Sequence, residues 1–190
     1  MSERGAQMNK ITDARYESFR KNLEAVNGTC VRAARKKIGE AVAGIFQEAG
    51  VKDACLPETP LFQETGVKEA LEAAGIQVYT DHIRLHAETA RGGISEAQYG
   101  IAELGTLVQC RDSADERIAA TMSEVYVGVV PGSEIVETYD DMFDLLSGLD
   151  PIPNFVGFIT GPSRTADIEC VSTVGVHGPI QLFAVVVDDA

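Results

Sequence analysis

The stretch from Val51 to Tyr79 constrains the fold most. "VKDACLP" reads as a short strand, "GVKEALEAAG" as a helix closed by Gly75, and "IQVY" as a second strand. A strand–helix–strand rhythm implies a parallel sheet with covering helices. Later segments fit the same sheet. "EVYVGVVPG" is a buried strand ended by Pro131-Gly132, and "FVGFIT" and "QLFAVVV" are apolar strands. Between them, "AQYGIAELGTLVQC" reads as two strand pieces around a tight connection at Glu103-Leu104-Gly105. "SEIVETYDDMFDLLSG" reads as an amphipathic helix, capped by Ser133 and stopped by Gly148. "DHIRLHAETARGGIS" is polar and irregular and reads mainly as a loop.

Two helices are expected before this body. Ile11, Tyr16, Phe19, Leu23 and Val26 form one stripe, stopped by Asn27-Gly28. Val31, Ala34, Ile38, Val42, Ile45 and Phe46 form another, closed by Gly50. The expected architecture is one α/β domain, with residues 1–50 as a helical extension packed on residues 51–190.

At 190 residues, 45% hydrophobic and 24% charged, the chain has the balance of a soluble globular domain. No apolar run approaches the roughly 20 residues that span a bilayer. The polar start lacks a secretory h-region, so a cytoplasmic location is expected. Charge divides the chain. Residues 1–52 carry 10 Lys/Arg against 6 Asp/Glu, whereas residues 53–190 carry 6 against 23. An acidic body repels phosphate backbones and argues against nucleic acid. The basic start fits an acidic partner or simply a solvated helix face. Nothing in the sequence sets the oligomeric state, so a homo-oligomer stays open.

Cys30, Cys55, Cys110 and Cys170 are widely separated. Such spacing fits free thiols better than a disulfide framework, and no iron–sulfur cluster is expected on this chain. His82 and His86 are four apart, beside Asp81 and Glu88, but HExxH is absent and no metal site is expected. The GxGxxG, GxxxxGK[ST] and GxSxG patterns are also absent.

The polar segment "GPSRTADIE", Gly161 to Glu169, is the strongest site candidate. Following the strand "FVGFIT", it reads as a glycine turn and a short helix starting near Thr165, placed beyond that strand's carboxyl end. Gly161 allows close backbone approach, Ser163 and Thr165 offer hydroxyls, and a helix start offers free N–H groups. From Ile118 onward there are 11 acidic residues and one Lys or Arg, which is Arg164. That guanidinium either clamps an anion or pairs internally with Asp167, Glu169 or another carboxylate. His177 and Glu103 are the candidate catalytic side chains: the first as an acid/base group, the second as a base or nucleophile at a turn. Each also has a structural reading, as a satisfied histidine and as a turn residue.

"GPSRTADIE", followed by "GVHGP" at Gly175–Pro179, closely resembles the C-terminal signature of the LUD-domain family, in its lactate utilization protein C group. "YGIAELGTLV" is similar to that family's "GIAETGTLV", with Leu104 replacing a small polar residue. The similarity runs from about Gly93 to Asp188. It implies a three-layer α/β/α fold like that of sugar-phosphate isomerases and CoA transferases. It also implies a role in bacterial L-lactate oxidation to pyruvate, alongside partner proteins that carry iron–sulfur clusters. The ligand set under this resemblance is Gly105, Thr106, Gly161, Ser163, Arg164, Thr165, Asp167, Glu169 and Gly178, around a small anionic metabolite. The fold kinship also admits a freestanding CoA-transferase-like or sugar-phosphate-processing enzyme, using Glu103 or His177.

Overall fold

A computed structural model of the chain describes residues 11–166, 172–174 and 177–188. The elements in chain order are α1 (Asp13–Ala25), β1 (Thr29–Ala34), α2 (Ile38–Glu48), β2 (Asp53–Cys55), α3 (Pro60–Glu64) and α4 (Val67–Ala73). Next come β3 (Gln77–Tyr79), α5 (Ile83–His86), β4 (Gly92–Glu96), β5 (Tyr99–Ile101), β6 (Thr106–Gln109) and α6 (Ala114–Met122). The chain continues with β7 (Val125–Pro131), β8 (Ile135–Val136), α7 (Tyr139–Ser147), β9 (Gly157–Ile159), β10 (Arg164–Ala166), β11 (Ser172–Val174) and β12 (Gln181–Asp188).

A six-stranded sheet in the order β1-β12-β7-β4-β2-β3 forms the centre, and every neighbouring pair in it is parallel. This is the α/β architecture that the strand–helix–strand rhythm implies. Its middle strands are apolar on both faces because both faces are covered. Side chains alternate across the sheet. Val125, Val127, Val129, Val185 and Val187 pack with Ile38, Val42 and Phe46 of α2, Phe62 of α3, and Val67 and Leu71 of α4. Tyr126, Val130, Leu182, Ala184 and Val186 face the other way, onto Tyr16, Phe19 and Leu23 of α1, Leu107 of β6 and Ile135. Each large side chain buried here contributes about 1.5–3 kcal/mol relative to an exposed one. The second covering layer is mixed: α1 and α6 share it with a four-stranded sheet ordered β8-β5-β6-β9.

Four expectations are corrected. Residues 29–34 are not the start of a helix. They form β1, an edge strand paired to β12 from Thr29↔Phe183 to Ala34↔Asp188, and the helix begins only at Ile38. The first 50 residues therefore contribute a strand to the central sheet as well as two helices. β4 begins inside the segment expected to be a loop and runs one residue past it, and all five of its residues are buried. The helix expected from Ser133 starts at Tyr139 instead. Thr138 and Asp141 close a reciprocal capping box there, while Ser133 lies in a 3₁₀ turn before β8. Finally, residues 164–166 form β10, antiparallel to β11, where a helix start was expected.

Candidate functional site

The two motif segments meet at one end of the small sheet. β6 and β9 run antiparallel with Leu107 opposite Ile159, which places Thr106 beside Thr160. Their hydroxyls are hydrogen-bonded at 2.6 Å. Both flanking turns use a glycine with positive φ, and both rest on the last turns of α1. Gly105 has φ +61°, and a Cβ there would lie 2.1 Å from the Leu23 nitrogen. Gly161 has φ +71°, and a Cβ there would lie 2.7 Å from the Val26 carbonyl oxygen. No other residue type allows this backbone and this closeness together.

Arg164 closes the junction. Its Nη2 donates to the Val26 carbonyl at 2.7 Å. Val26 is the C-cap of α1, so the guanidinium meets the negative end of the helix dipole and a carbonyl left over by the helix. The Ser163 N–H donates to the Pro179 carbonyl at 2.9 Å, and Ser163 Oγ accepts the His177 N–H at 3.1 Å. Ser163 thereby holds the turn against the segment entering β12. An open cleft of about 480 Å³ results, lined by Gly161, Ser163, Arg164, His177, Gly178 and apolar neighbours including Phe158.

This cleft lies at the amino edge of the central sheet, not at the carboxyl edge where α/β ligands usually gather. Val26 precedes β1, Thr121 precedes β7, and His177–Pro179 precede β12. The Ile180 and Gln181 N–H groups both donate to the Glu124 carbonyl, which ties the entries of β12 and β7 together. The expectation failed because β9 belongs to the small sheet and not to the parallel one.

Glu103 sits at the same end but does not line the cleft. Its Oε1 accepts the Tyr139 N–H at 2.7 Å, at the first residue of α7. The carboxylate thus serves a helix start, where negative charge is favourable. Leu104 is 40% exposed beside it. Thr165 lies in β10. Asp167 and Glu169 lie outside the described residues, as does Cys170.

The remaining thiols and histidines stand apart. Cys55 and Cys110 are buried and Cys30 is half-buried, and all three are free. Burial pushes the Cys30 thiol up to about 12 and the Cys55 thiol up to about 11. His86 stacks on Tyr79 at 3.9 Å, and His82 Nδ1 lies 3.3 Å from Asp81. Among the described residues no three His, Cys, Asp or Glu side chains are grouped to hold a metal ion, and no helix is long and apolar enough to cross a membrane.

Residues that sequence reasoning missed lie at the opposite, carboxyl edge. Glu96 ends β4, and its Oε2 accepts Arg111 Nη2 at 2.7 Å. Nearby, Ser95 Oγ is hydrogen-bonded to the Tyr126 hydroxyl at 2.8 Å and accepts Gln109 Nε2 at 3.0 Å. Glu116 is buried in the first turn of α6. Its "SxxE" spacing from Ser113 was the only local signal available.

Comparison with known proteins identifies the family. The LUD domain profile matches residues 16–187. The chain is 31% identical to Lactate utilization protein C of Halalkalibacterium halodurans over 162 residues, covering 80% of this chain and 70% of that protein. It is 37% identical to the protein of the same name from Macrococcus caseolyticus over 107 residues, or 54% and 46% of the two chains. The Bacillus subtilis protein of that name matches at 34% over 108 residues, 54% of this chain and 45% of that one. The chain thus spans less than half the length of the latter two relatives. The fold is similar to that of a DUF162 family protein from Deinococcus radiodurans, with a TM-score of 0.66, 17% identity, and coverage of 92% and 96%. With a family match that runs from residue 16 to residue 187, this protein belongs to the LUD-domain family.

Proposed function

We propose that this chain serves lactate utilization, as a subunit that binds a small carboxylate and works with partner proteins carrying the iron–sulfur clusters of L-lactate oxidation. The name shared by its relatives supports the pathway. One geometric observation supports the ligand class: residues 161–164 and 177–179 form a cleft whose only Lys or Arg among the described residues is exposed Arg164, with Ser163 and His177 in the same lining. A guanidinium offers paired donors to a carboxylate, and the Val26 contact engages one of its nitrogens, Nη2. The wide separation of the four cysteines in sequence fits a chain that leaves cluster chemistry to others.

The test is titration calorimetry with L-lactate and pyruvate, together with deletion of the gene in its host. Saturable binding that Arg164→Ala weakens about tenfold, with loss of growth on L-lactate after deletion, is the expected result. Undiminished growth, and no co-purifying iron–sulfur protein, would overturn it. A freestanding CoA-transferase-like enzyme draws less support, because the Glu103 carboxylate is engaged by the Tyr139 N–H and stands off the cleft. An acyl adduct on Glu103 after mixing with acyl-CoA would reverse that preference.

A further inference from the structure

A second cleft, of about 580 Å³, opens at the carboxyl edge of the central sheet, between the segment after β2 and the start of α6. Its polar lining is acidic: Glu58, Asp112 and Glu116 stand against one cation, Arg111. That cation is already committed to Glu96 at 2.7 Å. The remaining wall is apolar, formed by Pro60, Pro151, Ile152 and Pro153.

Acidity alone would mark only a solvated surface. The distinguishing feature is burial without a partner. Glu116 lines the cleft at 2% exposure, and its Oε1 has no hydrogen-bond partner in the protein. Among the described residues, four buried side-chain polar atoms lack partners, and three of them cluster at this edge: Glu96 Oε1, Gln98 Nε2 and Glu116 Oε1. Gln98 is tied to the cleft wall, since its Oε1 accepts the Cys110 N–H at 2.7 Å. Two of the three orphaned atoms are carboxylate acceptors, which call for a donor.

Charge and size narrow that donor. An anion is disfavoured, because the one guanidinium is engaged and the other charged walls are negative. The α6 N-terminus adds about half a positive charge, which Asp112, Asp115 and Glu116 outweigh. A bare metal ion needs several ligands closing within about 2.6 Å, and no such group exists among the described residues. An ammonium reaches about 2.8 Å and brings three N–H donors. The proline and isoleucine wall then suits a short run of methylenes. We propose that this cleft binds a small aliphatic primary amine, whose ammonium donates to Glu116 Oε1 and whose carbon frame lies along Pro151–Pro153.

The full chain is titrated by calorimetry with n-butylamine and 1,4-diaminobutane, with butyrate as the charge-reversed control. Both amines are expected to bind saturably and butyrate not at all. Glu116→Gln keeps the shape and removes the charge, and is expected to weaken amine binding at least about tenfold. Ile152→Ala alters only an exposed wall residue and is expected to weaken it about threefold; this variant decides the matter if Glu116→Gln fails to fold. Glu48→Gln, on the exposed end of α2, is expected to leave binding unchanged. Three results would each overturn the proposal: no saturable amine binding up to about 10 mM, equal binding of butyrate, or amine affinity unmoved by both cleft variants.

Discussion

The two edges of the central sheet carry polar residues of opposite character. At the amino edge, the polar groups of the motif segments have partners within the protein. Arg164 holds Val26, Ser163 holds His177 and Pro179, and Thr106 holds Thr160. At the carboxyl edge the polar groups are more deeply buried and less satisfied, with Glu96 Oε1 and Glu116 Oε1 unpartnered. The most polar stretch of the sequence therefore marks where the chain is shaped, and the most deeply buried unsatisfied groups lie elsewhere. Orphaned burial points to that second place without any motif.

Five substitutions break or sharpen this contrast. The largest effect is expected for Gly105→Ala, which forces a Cβ against the Leu23 backbone at positive φ. A loss of about 3 kcal/mol or more in chemical denaturation is expected, and a loss under about 1 kcal/mol would mean that α1 yields easily. Leu23→Ala removes the fully buried side chain on which that turn rests. It should cost about 2–5 kcal/mol, and urea midpoints for both variants would show whether turn and helix act as one unit. Arg164→Ala should cost about 1 kcal/mol, the scale of a hydrogen bond to a helix end by an exposed cation. Arg164→Lys should not restore that loss if the planar fork matters.

Glu116→Gln is read as a slope rather than as a loss. Burial raises the Glu116 carboxyl above its ordinary value of 4.5, with Arg111 opposing the rise and Glu96 adding to it. The folded state therefore holds this proton more tightly than the unfolded chain does. The stability it contributes is complete below the ordinary glutamate range and is lost as pH rises through the raised value. Thermal melts from acid to neutral pH should show the glutamine variant gaining on the parent as pH increases. Parallel curves would mean that Glu116 is no different from a surface carboxylate.

Much of this was legible locally. The rhythm from Val51 to Tyr79 and the apolar runs at Val125–Val130 and Leu182–Val187 declare a covered parallel sheet, because a strand buried on both faces is apolar along its whole length. β1 was hidden because its apolar residues fit a helical stripe, and only pairing with β12, far away in sequence, makes it a strand. β4 was hidden by Gly92, Gly93, Ser95 and Glu96, whose burial depends on α6 and on Arg111. The motif residues of the amino edge were legible, but their edge was not, since it depends on β9 joining the small sheet. Nothing local sets Glu96 beside Arg111.

The position of β12 has a consequence for how the protein is made. It leaves the ribosome after every other strand of the central sheet, yet it is hydrogen-bonded between β1 and β7. Arg32 Nε, on β1, reaches Asp188 at 2.9 Å across 156 positions of sequence. Until β12 emerges, the apolar edges of β1 and β7 face each other across a missing strand. Such open edges invite pairing with other chains. The sheet therefore closes only once β12 has been made, and until then the growing chain carries two open parallel edges.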